Sequence, residues 1–332
     1  MKKIKIAQIG TNAYSHGIEI FNSIKKQSEL FEIVGYVLPE NERERLPSRI
    51  KCFEGYKELT LEEVLNNSEI EAVTIETDEI YLTKYAILAA KAGKHIHMEK
   101  PGGRELADFE ELISIMKKTG KVFHTGYMYR YNPYVIELMK KIKDGELGDI
   151  VSVEAQMNCI QPNCLREWLS ELPGGMMFYL GSHLVDLILQ IKGTPQKIIP
   201  LNKASGINDI STTDFGMAVF EYDNGISFAK TSAVEFGGFA RRQLVVSGTK
   251  GTVELNPIEW YLPDLRNMQT HRATRTEANW NNGGKKEISE PFDRYDNMIK
   301  SFAQYVRGEK INPYTLDYEL ELYKTVLKAS GG

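Results

Sequence analysis

Cysteine, excess positive charge and long apolar runs are all scarce in this chain, and each shortage closes off a class of protein. Cys52, Cys159 and Cys164 are the three cysteines in 332 residues. They are an odd and scattered set with no C-x-x-C spacing and no His cluster beside them, which argues against a disulfide framework and against structural zinc. No apolar run reaches the length of about 18 residues that a membrane helix needs. The amino end, MKKIKIAQIG, alternates charge with β-branched residues where a secretory leader would carry a continuous apolar stretch. Positive charge is not in surplus: 41 Lys and Arg face 45 Asp and Glu, a net charge of −4, so no basic stripe exists to neutralise a phosphate backbone. The expectation is a cytoplasmic protein with no nucleic-acid partner, no membrane partner and no metal.

The chain does have length enough for about two domains at roughly 100 to 200 residues each. Residues 3–125 alternate short β-branched runs (4–9, 31–38, 72–75, 95–98, 122–124) with helical patterns at 18–26, 82–92 and 106–118. Two of these helices close on Gly93 and Gly120, the residue that tolerates the left-handed C-cap. Strand and helix in alternation predict an α/β, doubly wound parallel sheet over residues 1–125. From 126 to 332 the pattern becomes α+β, with helices at 133–143 and 175–192 and a large, mostly antiparallel, open-faced sheet from strands at 150–158, 197–201, 213–222, 227–233, 243–246 and 252–255. Asp223-Asn224-Gly225 is a hairpin signal, because Asn-Gly supplies positive φ angles. Two amphipathic helices, 295–307 and 316–328, finish the chain. Residues 263–286 are polar and aperiodic and read as a long loop or lid.

Four stretches could carry chemistry. The turn after the first strand, Gly10-Thr11-Asn12-Ala13-Tyr14-Ser15-His16-Gly17, is a partial match to G-x-G-x-x-G, whose amides and helix end hold a pyrophosphate. Gly10 takes its first position, Asn12 its second, and the small Ser15 its third. The second strand should end in an acid for the ribose of NAD, but it ends at Leu38 and Pro39, with Glu40 next and Arg43 and Arg45 beyond, so NAD and NADP both stay open. At the carboxyl end of the fourth strand, Glu99-Lys100-Pro101 points a lysine at the edge where α/β sheets bind ligands, held extended by the proline. Finally, Gly174-Gly175 enters a helix on which Tyr179, His183 and Asp186 share one face; His is the side chain best suited to take and return a hydroxyl proton near neutrality. Tyr127, Arg130, Tyr131, Arg166 and Trp168 lie in segments expected to approach the cleft. A Trp face suits sugar C–H surface and an Arg suits a hydroxyl or carboxylate.

Taken with Ala89-Ala90-Lys91-Ala92-Gly93-Lys94-His95-Ile96-His97-Met98-Glu99-Lys100-Pro101 and the hairpin Ser247-Gly248-Thr249-Lys250-Gly251-Thr252, these stretches resemble the Gfo/Idh/MocA family over nearly the whole chain. The family takes its name from glucose-fructose oxidoreductase, inositol dehydrogenase and rhizopine catabolism. The resemblance implies NAD or NADP on the first domain, with Gly10, Thr11, Asn12, Ala13, Leu38, Thr77, Glu99 and Lys100 as cofactor contacts. It implies a small carbohydrate-like substrate, a homodimer or homotetramer through the second domain's sheet, and Lys100 with His183 as the catalytic pair. On that footing His183 is the general base, Lys100 steadies the alkoxide, and Tyr179 donates a hydrogen bond or relays a proton. Asp186 orients His183 or bonds a sugar hydroxyl, and Tyr127, Arg130 and Trp168 complete the substrate contacts. The chain departs from the family pattern at Asn12, Leu38, Thr77-Asp78, Leu82 and Tyr179, the last standing where an Asp is usual. An oxidoreductase acting on a sugar, polyol or related hydroxy compound leads. The alternatives are a lyase or glycosidase with tightly held NAD, and a non-catalytic cofactor- or sugar-sensing regulator.

Overall fold

The computed structural model describes residues 2–332. β1 (Ile4–Ile9), β2 (Phe31–Val37), β3 (Ala72–Ile75), β4 (His95–Met98) and β5 (Phe123–Thr125) form an all-parallel sheet in the order β2-β1-β3-β4-β5. A parallel bridge from Tyr36 to Glu58 continues it beyond β2. Ile6, Ala7, Ile9, Val73, Ile75, Ile96 and Met98 are buried, so these strands read as continuous apolar runs, as strands covered on both faces do. Helices α1 (Gly17–Lys26), Leu82–Lys91 and Leu106–Thr119 lie where helical periodicity predicts them. Two more are short, Glu42–Arg45 and Leu61–Asn66; the periodicity does not announce the second, although its Thr60–Glu63 capping box is written in the sequence.

The second sheet has eight strands. They are β6 (Ile150–Asn158), β7 (Lys197–Pro200), β8 (Phe215–Tyr222), β9 (Gly225–Ser232), β10 (Gln243–Gly248), β11 (Gly251–Leu255), β14 (His271–Arg275) and β15 (Lys285–Ile288). The order is β15-β14-β11-β10-β6-β9-β8-β7, antiparallel except where β6 meets β9. Val153, Ala155, Phe220, Ala229, Leu244, Val246 and Val253 are buried, and the helix Ser182–Lys192 packs on β6 and β9. β12 (Trp260–Tyr261), β13 (Asn267–Gln269) and β16 (Phe292–Asp293) make a small separate sheet.

Two expectations are corrected. Residues 263–286 are not one long loop, because β13 and β14 lie inside the segment. Polarity hides β14: its buried member, Arg272, pairs with Glu137 and Glu287 and stacks on Tyr134 at 4.0 Å, so the inward face carries no apolar signal. The division of the chain also differs from a single cut at 125/126. One compact unit runs to Tyr127 and takes up Tyr295–Tyr323; the other comprises Met128–Arg294 with Lys324–Gly332. In the first unit Phe302, on the helix Asp296–Val306, lies 5.5 Å from the ring of His124, while Tyr323 stacks on Phe109 at 4.2 Å and donates to Gly103 O at 2.6 Å. An amphipathic helix announces an apolar face but not the sheet it covers.

Phe302→Ala should therefore cost the first unit about 3–5 kcal/mol. Hydrogen exchange is expected to speed up in His95–Met98 and Phe123–Thr125 and to stay unchanged in Gln243–Gly248; acceleration confined to the second sheet would refute the assignment.

Candidate functional site

The carboxyl edge of the parallel sheet is shaped by glycine. Gly10 leaves β1 with φ +88°, and a Cβ on it would sit 2.8 Å from Thr77 Cα, so no other residue lets the turn pass β3 this closely. Gly17 makes the second close approach, where a Cβ would meet Thr11 O at 2.8 Å. The sequence pattern assigns this packing role to Ser15; the structure gives it to Gly17. Asn12, at φ +53°, adopts the left-handed conformation that Asn tolerates. Its Oδ1 accepts from the N–H groups of Tyr14 at 2.7 Å and Ser15 at 3.2 Å, and its Nδ2 donates to Thr77 O at 2.8 Å and Glu79 Oε2 at 3.1 Å.

The other amides of the turn go to acids. Thr11 N–H donates to Glu42 Oε2 at 3.0 Å, Asn12 N–H to Glu42 Oε1 at 3.3 Å, and Ala13 N–H to Asp78 Oδ1 at 3.3 Å. Five successive N–H groups thus converge on side-chain oxygens. Arg49 donates to Thr11 O at 3.2 Å and Ser15 O at 2.8 Å, and Arg45 to Asp78 Oδ2 at 2.9 Å. Glu42 escaped the sequence reading because Glu40 stands nearer the strand end. Glu40 is engaged elsewhere, accepting from Lys84 at 2.6 Å and Tyr85 at 2.8 Å. Leu38 packs against the cluster of Phe21, Tyr36 and Phe53.

Thr77, Glu99 and Lys100 are buried on the same edge, with Lys100 Nζ 3.7 Å from Glu99 Oε1. Burial pushes the Glu42 carboxyl up to about 7 against the pull of the Asn12 and Thr11 amides. Burial carries Glu79 to about 7 as well, offset by the Lys100 ammonium. Glu76, just past β3, is raised well above the carboxylate range by burial and by Glu99 and Glu79 nearby. His97 and His124 face each other Nδ1 to Nδ1 at 2.7 Å, and burial drops His97 to about 3.

In the second unit Gly174 and Gly175 both have positive φ, and a Cβ on Gly175 would meet Thr213 O at 2.1 Å. The helix that follows opens with a π-turn, Met177–Gly181, before the regular stretch Ser182–Lys192, an irregularity that recurs at functional sites. Tyr179, His183 and Asp186 are all buried. Trp168 meets Tyr179 edge-on at 5.7 Å, and Tyr129 meets His183 edge-on at 5.1 Å. Asp186 accepts from Arg130 Nε at 3.0 Å and Nη2 at 2.8 Å and from Gln190 at 2.8 Å, so two expected substrate contacts form a buried ion pair. Arg166 pairs likewise with Asp214 at 2.7 Å. Tyr127 and Lys100 belong to the first unit, and Arg130, Trp168, Tyr179, His183 and Asp186 to the second. Among the described residues no group of three His, Cys, Asp or Glu side chains could hold a metal ion, and no helix is long and apolar enough to cross a membrane.

Residues 4–127 match the model of the oxidoreductase family with an NAD-binding Rossmann fold, and residues 135–254 match the Gfo/Idh/MocA C-terminal domain. The chain belongs to the Gfo/Idh/MocA family. It is similar to scyllo-inositol 2-dehydrogenase (NADP(+)) of Bacillus subtilis, 26% identical over 180 residues that cover 54% of this chain and 48% of the relative. The chain spans less than half the length of the first curated relatives it matches. Among solved structures it resembles a 3-ketoreductase from Actinomadura kijaniata with NADP and TDP-benzene, at TM-score 0.78 and 15% identity over 98% of this chain and 96% of that one. It also resembles aldose-aldose oxidoreductase from Caulobacter crescentus with glycerol, at TM-score 0.78 and 19% identity over 99% and 98%.

The cofactor class of this Gfo/Idh/MocA chain is NAD or NADP. The turn fits such a group in kind: its convergent amides already hold carboxylates, which is the donor set a pyrophosphate uses, and Arg45 and Arg49 stand beside them.

Two measurements follow from these contacts. Removing one partner of a buried ion pair leaves the other charge stranded, so Asp186→Asn is expected to lower stability by about 3–5 kcal/mol in urea denaturation, with Arg130→Met/Asp186→Leu recovering most of it; a single-variant cost below about 1 kcal/mol would show that the pair is not structural. The folded chain keeps a proton on Glu79 between its ordinary value of 4.5 and about 7, where the unfolded chain has released it, so stability falls as pH rises through that window. Glu79→Gln should remove about 3 kcal/mol of that fall, read as a smaller stability difference between about pH 5 and pH 7.5.

Proposed function

We propose that the protein is an NAD(P)-dependent oxidoreductase that moves a hydride between the nicotinamide and a CH–OH carbon of a sugar, polyol or related hydroxy compound. The observation that carries this reading is Lys100, a buried ammonium at the carboxyl end of β4, on the sheet edge where α/β folds bind ligands. The family membership supports it, as does the polyol dehydrogenase among the relatives.

NAD or NADP, when bound, supplies the hydride acceptor or donor. The protein's own residues place the substrate and manage its proton. Lys100 donates to the substrate oxygen and favours it as an alkoxide, an interaction that strengthens as charge develops. Glu99, 3.7 Å from Lys100 Nζ, balances the ammonium. His183 takes the hydroxyl proton on a ring nitrogen and returns it in the reverse direction. The Tyr129 ring edge against it restricts the plane the imidazole can adopt. Tyr179 donates a hydrogen bond to the substrate from its phenol, and Trp168, edge-on to Tyr179, offers an apolar face to sugar C–H groups. Asp186 acts by fixing Arg130 through a two-bond ion pair within the second unit. The open face of the eight-stranded sheet, where Ile226 and Ile288 are exposed, is the surface for a homodimer or homotetramer.

Incubation with a panel of polyols and sugars, with NAD and NADP in separate series, should produce reduced-nicotinamide absorbance. Lys100→Met and His183→Asn should each lower the rate by about 10²-fold or more while cofactor binding persists, since proton transfer contributes at that scale. Unchanged turnover in both variants would remove them from the chemistry.

A further inference from the structure

Nothing in the proposed reaction uses Glu42, yet it is the most committed acid on the sheet edge. The carboxylate is 1% exposed and accepts from two consecutive amides of the dinucleotide turn, Thr11 N–H at 3.0 Å and Asn12 N–H at 3.3 Å. It arrives there through an unusual backbone: Glu40 and Asn41, directly before it, are both left-handed, at φ +54° and +56°. Two successive non-glycine residues in that region carry conformational cost, met here because the kink turns Glu42 inward onto the turn. Asp78 covers the next amide at 3.3 Å and is itself held by Arg45 at 2.9 Å. Arg49 bonds to the turn's own carbonyls, Thr11 O and Ser15 O, and not to Glu42, so its anchorage does not depend on that carboxylate; Arg45, on the same short helix as Glu42, bonds to Asp78 and to Glu40 O.

We propose that Glu42 is an internal counter-anion of the dinucleotide cradle: it holds the amides that a pyrophosphate takes, and a dinucleotide binds by displacing it. The inference rests on the reading of the first unit as an NAD(P)-binding domain. It makes the affinity a difference between two anions competing for one donor set. Withdrawal of Glu42 relaxes the kink at Glu40 and Asn41, returns a buried carboxylate to water, and leaves the Arg49 guanidinium beside the phosphates. The opposite role is distinguishable. A carboxylate that serves as a ligand of the ribose hydroxyls raises affinity and excludes a 2′-phosphate.

The test is calorimetric titration at pH 8.5, where Glu42 is ionised, of the full chain, Glu42→Ala and Glu42→Gln with NADH, NADPH and inorganic pyrophosphate, with thermal unfolding to show that each variant is folded. Displacement predicts that Glu42→Ala binds all three at least tenfold more tightly, with Glu42→Gln in between because its carbonyl still accepts from the amides without the charge. Equal or weaker binding by both folded variants overturns the inference and leaves the oxidoreductase reading standing. Tighter binding of NADPH alone overturns it too, since that marks a ribose ligand. Failure of all three chains to bind either nucleotide overturns the inference and the reading together. If Glu42→Ala does not fold, the Glu42→Gln comparison decides on the same terms.

Discussion

A parallel sheet ends in backbone N–H groups that have no neighbouring strand to bond, and a buried amide must find an acceptor. That requirement organises the first unit. Gly10 brings the turn against Thr77, just past β3, and Gly17 brings the start of α1 against Thr11 and Glu76, and the acceptors are supplied by side chains that the fold delivers from three places. Asn12 comes from the turn itself, Asp78 from beyond β3, and Glu42 from beyond β2. Acids gather there: Glu42, Glu76, Glu79 and Glu99 are all buried on this edge. Two of them hold protons up to about neutrality, so a chain with a modest net charge still carries a strongly acidic locality.

The second unit is tied together by buried ion pairs. Arg130 with Asp186, Arg166 with Asp214, and Arg242 with Glu259 are buried, each joining segments distant in sequence. Such pairs give little net stability over apolar packing, but they are intolerant of substitution on one side, which fixes the helix carrying His183 against its surroundings. The π-turn at Met177–Gly181 then sets the rotation between Tyr179 and His183. The spacing that puts these residues on one face of an ideal helix is only approximate in the molecule.

The legible parts of the fold were those written in local pattern. The β-branched runs gave the five parallel strands to within a residue or two, and Asp223-Asn224-Gly225 gave the β8–β9 hairpin. What the pattern hid had a common cause, namely polar groups whose partners lie far along the chain. β14 looked like loop because Arg272 is inward and ion-paired. Glu42 went unnamed because its acceptor role depends on amides 30 residues earlier. Asp186 looked available to substrate until Arg130 was placed beside it. Lys100 and His183 stand as proposals from motif and chemistry, whereas the acids that occupy the turn show only once the chain is folded.

The discontinuity of the first unit also bears on how the protein is made. Its sheet strands are complete by Thr125, but Phe302, Tyr305 and Tyr323, which cover His124 and Phe109, emerge only after the whole second sheet. Domains generally fold in order of synthesis. Here the first to appear on the ribosome spends the translation of some 170 residues with an apolar flank uncovered, until Tyr295–Tyr323 arrive. A chaperone that binds exposed aliphatic and aromatic surface would find its longest opportunity on that flank, not on the domain still being synthesised.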